Sequence, residues 1–371
     1  MFIMLKRIIS SVLYGVVLCF LPKRRRSGEV VSDSIAIVFL GNLGDFFVFC
    51  AVAELLLKKG FPIKLVCRKG IGIDDFAKQT GLFKEVHSID NRIFYRLSNI
   101  RKLKKIKCRY AFAAPISRYV LNDVYTLSVC AETYILPDMM AGSVSVALKC
   151  MADKKADMLV PVSTLWEWDK YTEFLCGSHL ISERVLPNAR CITKKTQKKN
   201  IAVFPGASIK EKMWQTENFA QVIKRLAEKS EYHFYIMGSK ADEAVCAKLT
   251  GMLEGVVWES VRNTSVNEAL ELLESCCLAL ANDSGSAHMA LYKGVPFVVI
   301  CGMWEHGRFY PNDSLPKWCV SIACEQGEVI CENCGASIPN CTKHRLSADC
   351  IGKISTDTVF EAVTRLLDDT Q

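Results

Sequence analysis

The chain has 371 residues, 50% of them hydrophobic and 23% charged, a balance that excludes a disordered or low-complexity protein and gives length for two domains. Its net charge of +8 is unevenly placed: in residues 1–30, Lys6, Arg7, Lys23, Arg24, Arg25 and Arg26 stand against Glu29 alone and supply +5. The remaining +3 is too little and too scattered for a nucleic-acid-binding domain, which spreads basic residues over a folded face.

Ile8 to Pro22 is nearly continuous apolar sequence between two basic clusters. No small-residue cleavage site follows it, which argues against a signal peptide. Its roughly fifteen residues fall short of the ~20 a spanning helix needs, and cations on both sides suit neither orientation of a span. The segment reads as a helix lying on the cytoplasmic face of a membrane, with a short tilted span as the alternative.

From Ser34 onward strands and helices alternate. Ile35–Leu40, Ile63–Cys67, Glu85–Ile89 and Tyr110–Ala114 are short apolar runs fit for buried parallel strands. Between them Phe46–Lys59, Asp74–Thr80 and the strongly basic Arg92–Lys107 read as helices. Residues 118–161 are the least legible, with one helix expected over Met139–Met151. The polar, basic stretch from Leu186 to Asn200 reads as a linker.

A second unit then repeats the alternation. Ile201–Phe204, His233–Met237, Val256–Trp258, Cys277–Leu280 and Phe297–Ile300 are expected strands. Thr216–Lys229, Ala241–Met252 and Val266–Ser275 are expected helices, and a capped helix closes the chain over 354–368. The chain therefore divides into a basic amphiphilic membrane-associated segment (1–30), a Rossmann-like α/β domain (34–187), a second Rossmann-like domain with a cysteine-rich end (200–350) and a final helix. Sheets of this kind bind ligands beyond the carboxyl ends of their strands.

Three turns at such ends carry chemistry, and two facing α/β domains would gather them around one cleft. The first is Gly41-Asn42-Leu43-Gly44-Asp45, where Asp45 is either a general base kept ionised by a helix amino terminus or a helix cap. In the second, Pro205-Gly206-Ala207-Ser208 precedes Lys212 and Trp214. Ser208 can donate to a phosphate oxygen and Lys212 can place a compact charge on it; an ordinary exposed lysine is the alternative. The glycine and lysine spacing is not that of a P-loop. The third is Asn282 to His288, a strand-to-helix turn whose backbone N–H groups suit an anion, with Asp283, Ser284 and His288 placed to hold or polarise a ligand. Capping by Asp283 or Ser284 is the alternative there.

Together, Gly44-Asp45, Pro205-Gly206-Ala207-Ser208 with Lys212-Met213-Trp214, and Asp283-Ser284-Gly285 with His288 resemble glycosyltransferase family 9, the heptosyltransferase-like enzymes of lipopolysaccharide inner-core synthesis. The resemblance covers about residues 34–310 and implies a GT-B architecture of two Rossmann-like doubly wound domains. It implies inverting, metal-independent transfer of a sugar, a heptose in the first instance, from a nucleotide-diphospho-sugar to a lipid-linked saccharide such as lipopolysaccharide core. No cofactor beyond the donor substrate is implied. By motif, Asp45 is the base, Ser208 and Lys212 hold the donor diphosphate, and Asp283, Ser284 and Gly285 form the donor turn with His288 behind it. Asp242 or Glu243 is the ribose candidate. Gln215 departs from the proline many relatives carry, which bears on loop stiffness. The implied partners are the donor, the lipid-linked acceptor and the cytoplasmic membrane face.

Of eighteen cysteines, twelve are scattered through apolar runs and read as small buried hydrophobes in a reducing compartment. Near the end, Cys331, Cys334, Cys341 and Cys350, with His344 between, contain one metal-like CxxC but lack a second. Zinc is an alternative there to reduced or partly oxidised structural cysteines. Two other functions compete. A dinucleotide oxidoreductase is disfavoured because the first turn is no GxGxxG. A non-catalytic nucleotide-sugar-binding protein at the membrane predicts donor binding without turnover.

Overall fold

Two units, Met1–Val185 and Leu186–Gln371, partition the chain. The computed structural model describes residues 2–21, 33–115, 118–139, 146–164, 166–187, 199–303, 306, 308–310, 315–324 and 350–370.

The first unit opens with α1 (Phe2–Phe20), then β1 (Ile35–Phe39), α2 (Leu43–Lys58), β2 (Ile63–Arg68), α3 (Ile73–Gln79) and β3 (Glu85–Ile89). A 3-10 turn at Ile93–Tyr95 leads into α4 (Arg96–Leu103), β4 (Lys107–Ala113), α5 (Val120–Ser128), β5 (Cys130–Asp138), α6 (Val146–Asp153), β6 (Met158–Pro161) and α7 (Glu167–Gly177). All pairings are parallel and the strand order is β3-β2-β1-β4-β5-β6. Every residue of β1 is buried, as expected of a central strand covered on both faces. Phe39 packs against Phe46 and Phe49 of α2 with ring centroids 5.2 and 5.3 Å apart, which fixes the helix on the sheet.

Helix α1 packs on this domain: Tyr14, Leu18 and the following Leu21 join the core that also holds Val124 of α5 and Leu148 of α6. Among the described residues no helix is long and apolar enough to cross a membrane. The expected basic helix over 92–107 ends at Leu103, because Leu103 and Ile106 are both buried and Lys107 already pairs with Cys130 in the sheet. Of the helix expected over Met139–Met151, residues 146–151 belong to α6 and residues 140–145 lie outside the described ones; β5 runs to Asp138.

The second unit comprises β7 (Asn200–Phe204), a 3-10 turn at Lys210–Lys212, α8 (Thr216–Lys229), β8 (His233–Gly238), a 3-10 turn at Lys240–Asp242 and α9 (Glu243–Thr250). It continues with β9 (Trp258–Arg262), α10 (Val266–Glu274), β10 (Leu278–Asn282), α11 (Gly285–Lys293), β11 (Phe297–Ile300), β12 (Cys319–Ile322) and α12 (Thr356–Thr370). Its parallel sheet is ordered β12-β11-β10-β7-β8-β9. The ninth strand starts two residues later than expected, because Gly255 at φ +79° turns the chain and Trp258 is the first residue in register with β8.

Counted within its unit, each sheet has the order 3-2-1-4-5-6. The strand order reverses between β1 and β4 in the first unit and between β7 and β10 in the second. Crevices at such reversals are where open α/β sheets bind ligands.

Candidate active site

At the switch point of the second sheet, β7 and β10 run side by side with Ala281 opposite Phe204. Both strands then release their chains into turns at the same height. Asn282, completely buried, joins the two: its Nδ2 donates to the Pro205 carbonyl at 2.8 Å, and its Oδ1 accepts from the Trp214 backbone N–H at 3.0 Å. The Trp214 indole donates in turn to the Ile354 carbonyl at 3.0 Å and packs edge-on against Phe219. The loop from Pro205 to Trp214 is thereby tied at both ends to the floor of the site.

Lys212 ends the 3-10 turn within that loop. Its Nζ lies 3.0 Å from Asp283 Oδ2, and the two side chains are 14% and 5% exposed. The pairing brings the second and third turns of the sequence together. Asp283 is held from the other side by its own backbone N–H, which donates to the Ile300 carbonyl at 2.9 Å. An ion pair this sheltered is attracted strongly but has lost much hydration, so either charge left without the other would be costly.

Ser284 has the extended backbone of a helix N-cap before α11, and its side chain makes no capping bond. Its hydroxyl lies 2.7 Å from that of Ser286 instead. Ser284, Gly285 and Ser286 are half-buried, so the amino end of α11 faces partly outward with the positive end of the helix dipole behind it. His288 is placed one turn further in and is 4% exposed. It stacks on Tyr310 at 5.0 Å and meets Phe309 edge-on at 4.9 Å. Its ring braces the turn from within the domain. Ser208 lies exposed in the loop ahead of Lys212.

Asp242 stands at the adjacent carboxyl end of β8. Its Oδ2 accepts from the Ser239 N–H at 2.9 Å and from the Ser239 hydroxyl at 2.7 Å. A Cβ added to Gly206 would fall 2.1 Å from Asp242 Oδ1, and one added to Gly238 would fall 2.9 Å from the Asp242 Cβ. The two glycines thus make room for this carboxylate beside the Pro205–Gly206 turn. Glu243 is exposed, 3.6 Å from Arg262.

In the first unit Asp45 is the third residue of α2 and half-buried, with Oδ2 accepting from the Asn42 N–H at 3.0 Å. The capping alternative is realised in its geometry, and the same bond fixes the carboxylate at the switch point beside β1. Sequence reasoning missed its neighbourhood. Glu167 and Lys170 of α7 form a buried pair at 3.0 Å. Burial first, then the carboxylates of Glu167 and Asp45, push the Tyr171 phenol well above its ordinary range. Tyr171 also lies 6.3 Å from Phe49 between ring centroids. The only available signal was Glu167 and Lys170 three apart, a spacing shared by countless surface helices. Asn282 was equally silent, since an asparagine ending a strand is ordinary.

Cys331, Cys334, Cys341 and His344 lie outside the described residues. Cys350 is buried, in the core that also holds Cys324 and Ile322. Among the described residues no group of three or more histidine, cysteine, aspartate or glutamate side chains is placed to hold a metal ion.

Residues 178–329 match the family model of glycosyltransferase family 9 (heptosyltransferase). No curated protein matches the chain. Among solved structures, the fold is similar to that of a glycosyl transferase family 9 protein from Veillonella parvula DSM 2008. That likeness has 17% identity and a TM-score of 0.71, covering 93% of this chain and 100% of that one. It is similar also to E. coli ADP-heptose lps heptosyltransferase II (15% identity, TM-score 0.66, 91% and 99% covered). E. coli heptosyltransferase WaaC with ADP is a third such structure (12% identity, TM-score 0.66, 90% and 99% covered).

Proposed function

We propose that this GT-B-fold chain, whose residues 178–329 match the family-9 model, is a glycosyltransferase that moves a heptose from a nucleotide-diphospho-sugar to a lipid-linked saccharide of the lipopolysaccharide-core type, inverting the anomeric centre. In that reaction the acceptor hydroxyl oxygen bonds to the anomeric carbon as the bond from that carbon to the diphosphate breaks. Asp45 takes the hydroxyl proton, and the nucleoside diphosphate leaves with the bonding electrons.

The observation that carries this reading is the Lys212–Asp283 pair at the switch point of the second sheet, beside the amino end of α11. Lys212, Ser208 and the N–H groups of the Ser284–Gly285 turn supply positive potential where charge grows on the departing diphosphate, so the route we propose needs no metal. Asp283 orients Lys212 and is the donor-sugar contact, His288 stiffens the turn from behind, and Asp242 takes the ribose hydroxyls beside Gly206. Exposed Glu243, turned to Arg262, is the less favourable ribose partner.

ADP-heptose is the first donor to test, since the similar E. coli enzyme is described as using it. Saturating donor should raise the thermal stability of the protein, because a ligand present at 100 times its Kd adds about 2.7 kcal/mol to the native state. Transfer to a lipid-linked core acceptor should follow. Stabilisation by donor with no product from any saccharide acceptor would favour the non-catalytic alternative. Absence of stabilisation by every nucleotide-sugar would overturn the reading.

A further inference from the structure

Ten of the thirteen large hydrophobic side chains exposed among the described residues lie in the first unit, and seven of those sit on α1 and on residues 94–97. Along α1, Ile9, Val12, Val16 and Phe20 recur at helical spacing and are 49–85% exposed. At 100° per residue they form one stripe, opposite the stripe of Tyr14 and Leu18 that enters the domain core. A helix that buries one apolar face in its own domain and leaves a second in water has a second partner to account for.

The neighbouring stretch continues that surface. Arg96 donates to the Ser10 hydroxyl at 2.6 Å and lies over the Tyr14 ring at 5.0 Å, which clamps the start of α4 against α1. On either side of Arg96, Phe94 is 91% and Leu97 52% exposed. The next turns are cationic: Arg101, Lys102, Lys104 and Lys105 are all exposed, and residues 92–107 contain seven basic residues and no acidic one. Leu97, Arg101 and Lys104 share one face of the helix.

We infer that the outer face of α1 and the 94–105 stretch form a single docking surface for an anionic lipid bilayer. The apolar stripe enters the headgroup boundary while Arg101, Lys102 and Lys104 meet lipid phosphates. Charge complementarity selects this occupant: a second copy of the chain would set the same cations against themselves, whereas the cytoplasmic leaflet presents the opposite sign. Tyr95 beside the stripe is of the type enriched at the membrane–water boundary, and Phe94 of the type that fills the apolar face of an interfacial helix. The inference goes beyond the proposed reaction and uses none of its residues. It explains how a lipid-linked acceptor would be met at the membrane surface.

The test is co-sedimentation of the full chain with vesicles of phosphatidylethanolamine plus phosphatidylglycerol, against vesicles of phosphatidylcholine alone. The protein should bind the anionic vesicles about tenfold or more tightly, less so as salt rises. Val12→Ser/Val16→Ser/Phe20→Ser should remove most binding to anionic vesicles. Arg101→Gln/Lys102→Gln/Lys104→Gln should remove the preference for anionic lipid. Both sets of positions face solvent, so thermal stability should stay near wild type and confirm the fold. Equal binding to both vesicles, or variants that sediment like wild type, would overturn the inference. So would a dimer that the serine variant dissociates, in a protein that binds no vesicles. None of these readouts needs turnover, so failure here leaves the donor-binding test untouched.

Discussion

Lys212 and Asp283, seventy-one residues apart in sequence, meet at 3.0 Å and are both sheltered from solvent. The contact makes one chemical unit of two loops that leave neighbouring strands. Lys212→Ala should weaken donor binding about 10- to 100-fold, the worth of one hydrogen bond to a charged group. It should also lower stability by about 3 kcal/mol or more, since Asp283 keeps a buried charge without its partner. Adding Asp283→Asn removes that stranded charge, and stability should largely recover while donor affinity does not. Recovery of both together, read by donor titration and by denaturant unfolding, would make Lys212 a structural residue only.

Asp45 is the base in the proposed reaction and also caps α2 through the Asn42 N–H. The two roles separate by substitution. Asp45→Asn keeps an oxygen for the cap but cannot take a proton. Transfer should fall about 10²- to 10⁴-fold, with thermal stability and donor-induced stabilisation near wild type. Asp45→Ala should lose transfer equally and about 1 kcal/mol of stability besides. Appreciable turnover by the asparagine variant would remove Asp45 from the chemistry.

The strands lining both switch points were legible because each is a short apolar run buried on both faces, as in Ile35–Phe39 and Ile201–Phe204. The turns were legible because glycine, serine and aspartate follow such runs directly. What stayed hidden is polar residues put to interior use. Helix α5 buries Asn122, Asp123, Thr126 and Ser128 beside Val124 and Leu127, so it has no polar face to set a period. Its burial depends on Arg118, which reaches Asp123, the Pro137 carbonyl and Asp153 at once. Asn282 was missed for the same reason, since satisfying an interior partner from a distant segment leaves no local pattern, whereas the Glu167–Lys170 pair has only a three-residue spacing that surface helices share.

Gly206 gives a steric test of the second site. An alanine there would put its Cβ 2.1 Å from Asp242 Oδ1 and 2.4 Å from Cγ. The Asp242 side chain is short and tied to Ser239 by two hydrogen bonds, so it cannot swing clear without breaking its cap. Gly206→Ala should therefore cost about 1–3 kcal/mol, the range for overpacking. It should weaken donor binding with it, by displacing the carboxylate placed for the ribose. Gly206→Ala/Asp242→Gly, which also removes the Asp242 Cβ that would lie 2.9 Å away, should relieve the clash but not regain donor affinity. If the double variant binds donor like wild type, Asp242 has no part in holding it.

Asp123 sets a pH dependence independent of the active site. Its carboxyl is completely buried, and that burial raises its pKa from 3.8 to about 6 against the pull of the Arg118 guanidinium. Between those values the folded chain holds a proton that the unfolded chain releases. The contribution of Asp123 to stability is then full below about pH 4 and is lost as pH rises through 6. Asparagine at this position does not titrate. Compared with Asp123→Asn, the wild type should therefore lose on the order of 3 kcal/mol between pH 4 and pH 7, the free-energy equivalent of that shift. Chemical denaturation of both proteins across the range measures the difference directly. A gap that stays constant with pH would mean that Arg118 holds Asp123 ionised throughout. A gap that grows in favour of the wild type as pH rises would mean the ion pair outweighs burial, reversing the sign argued here.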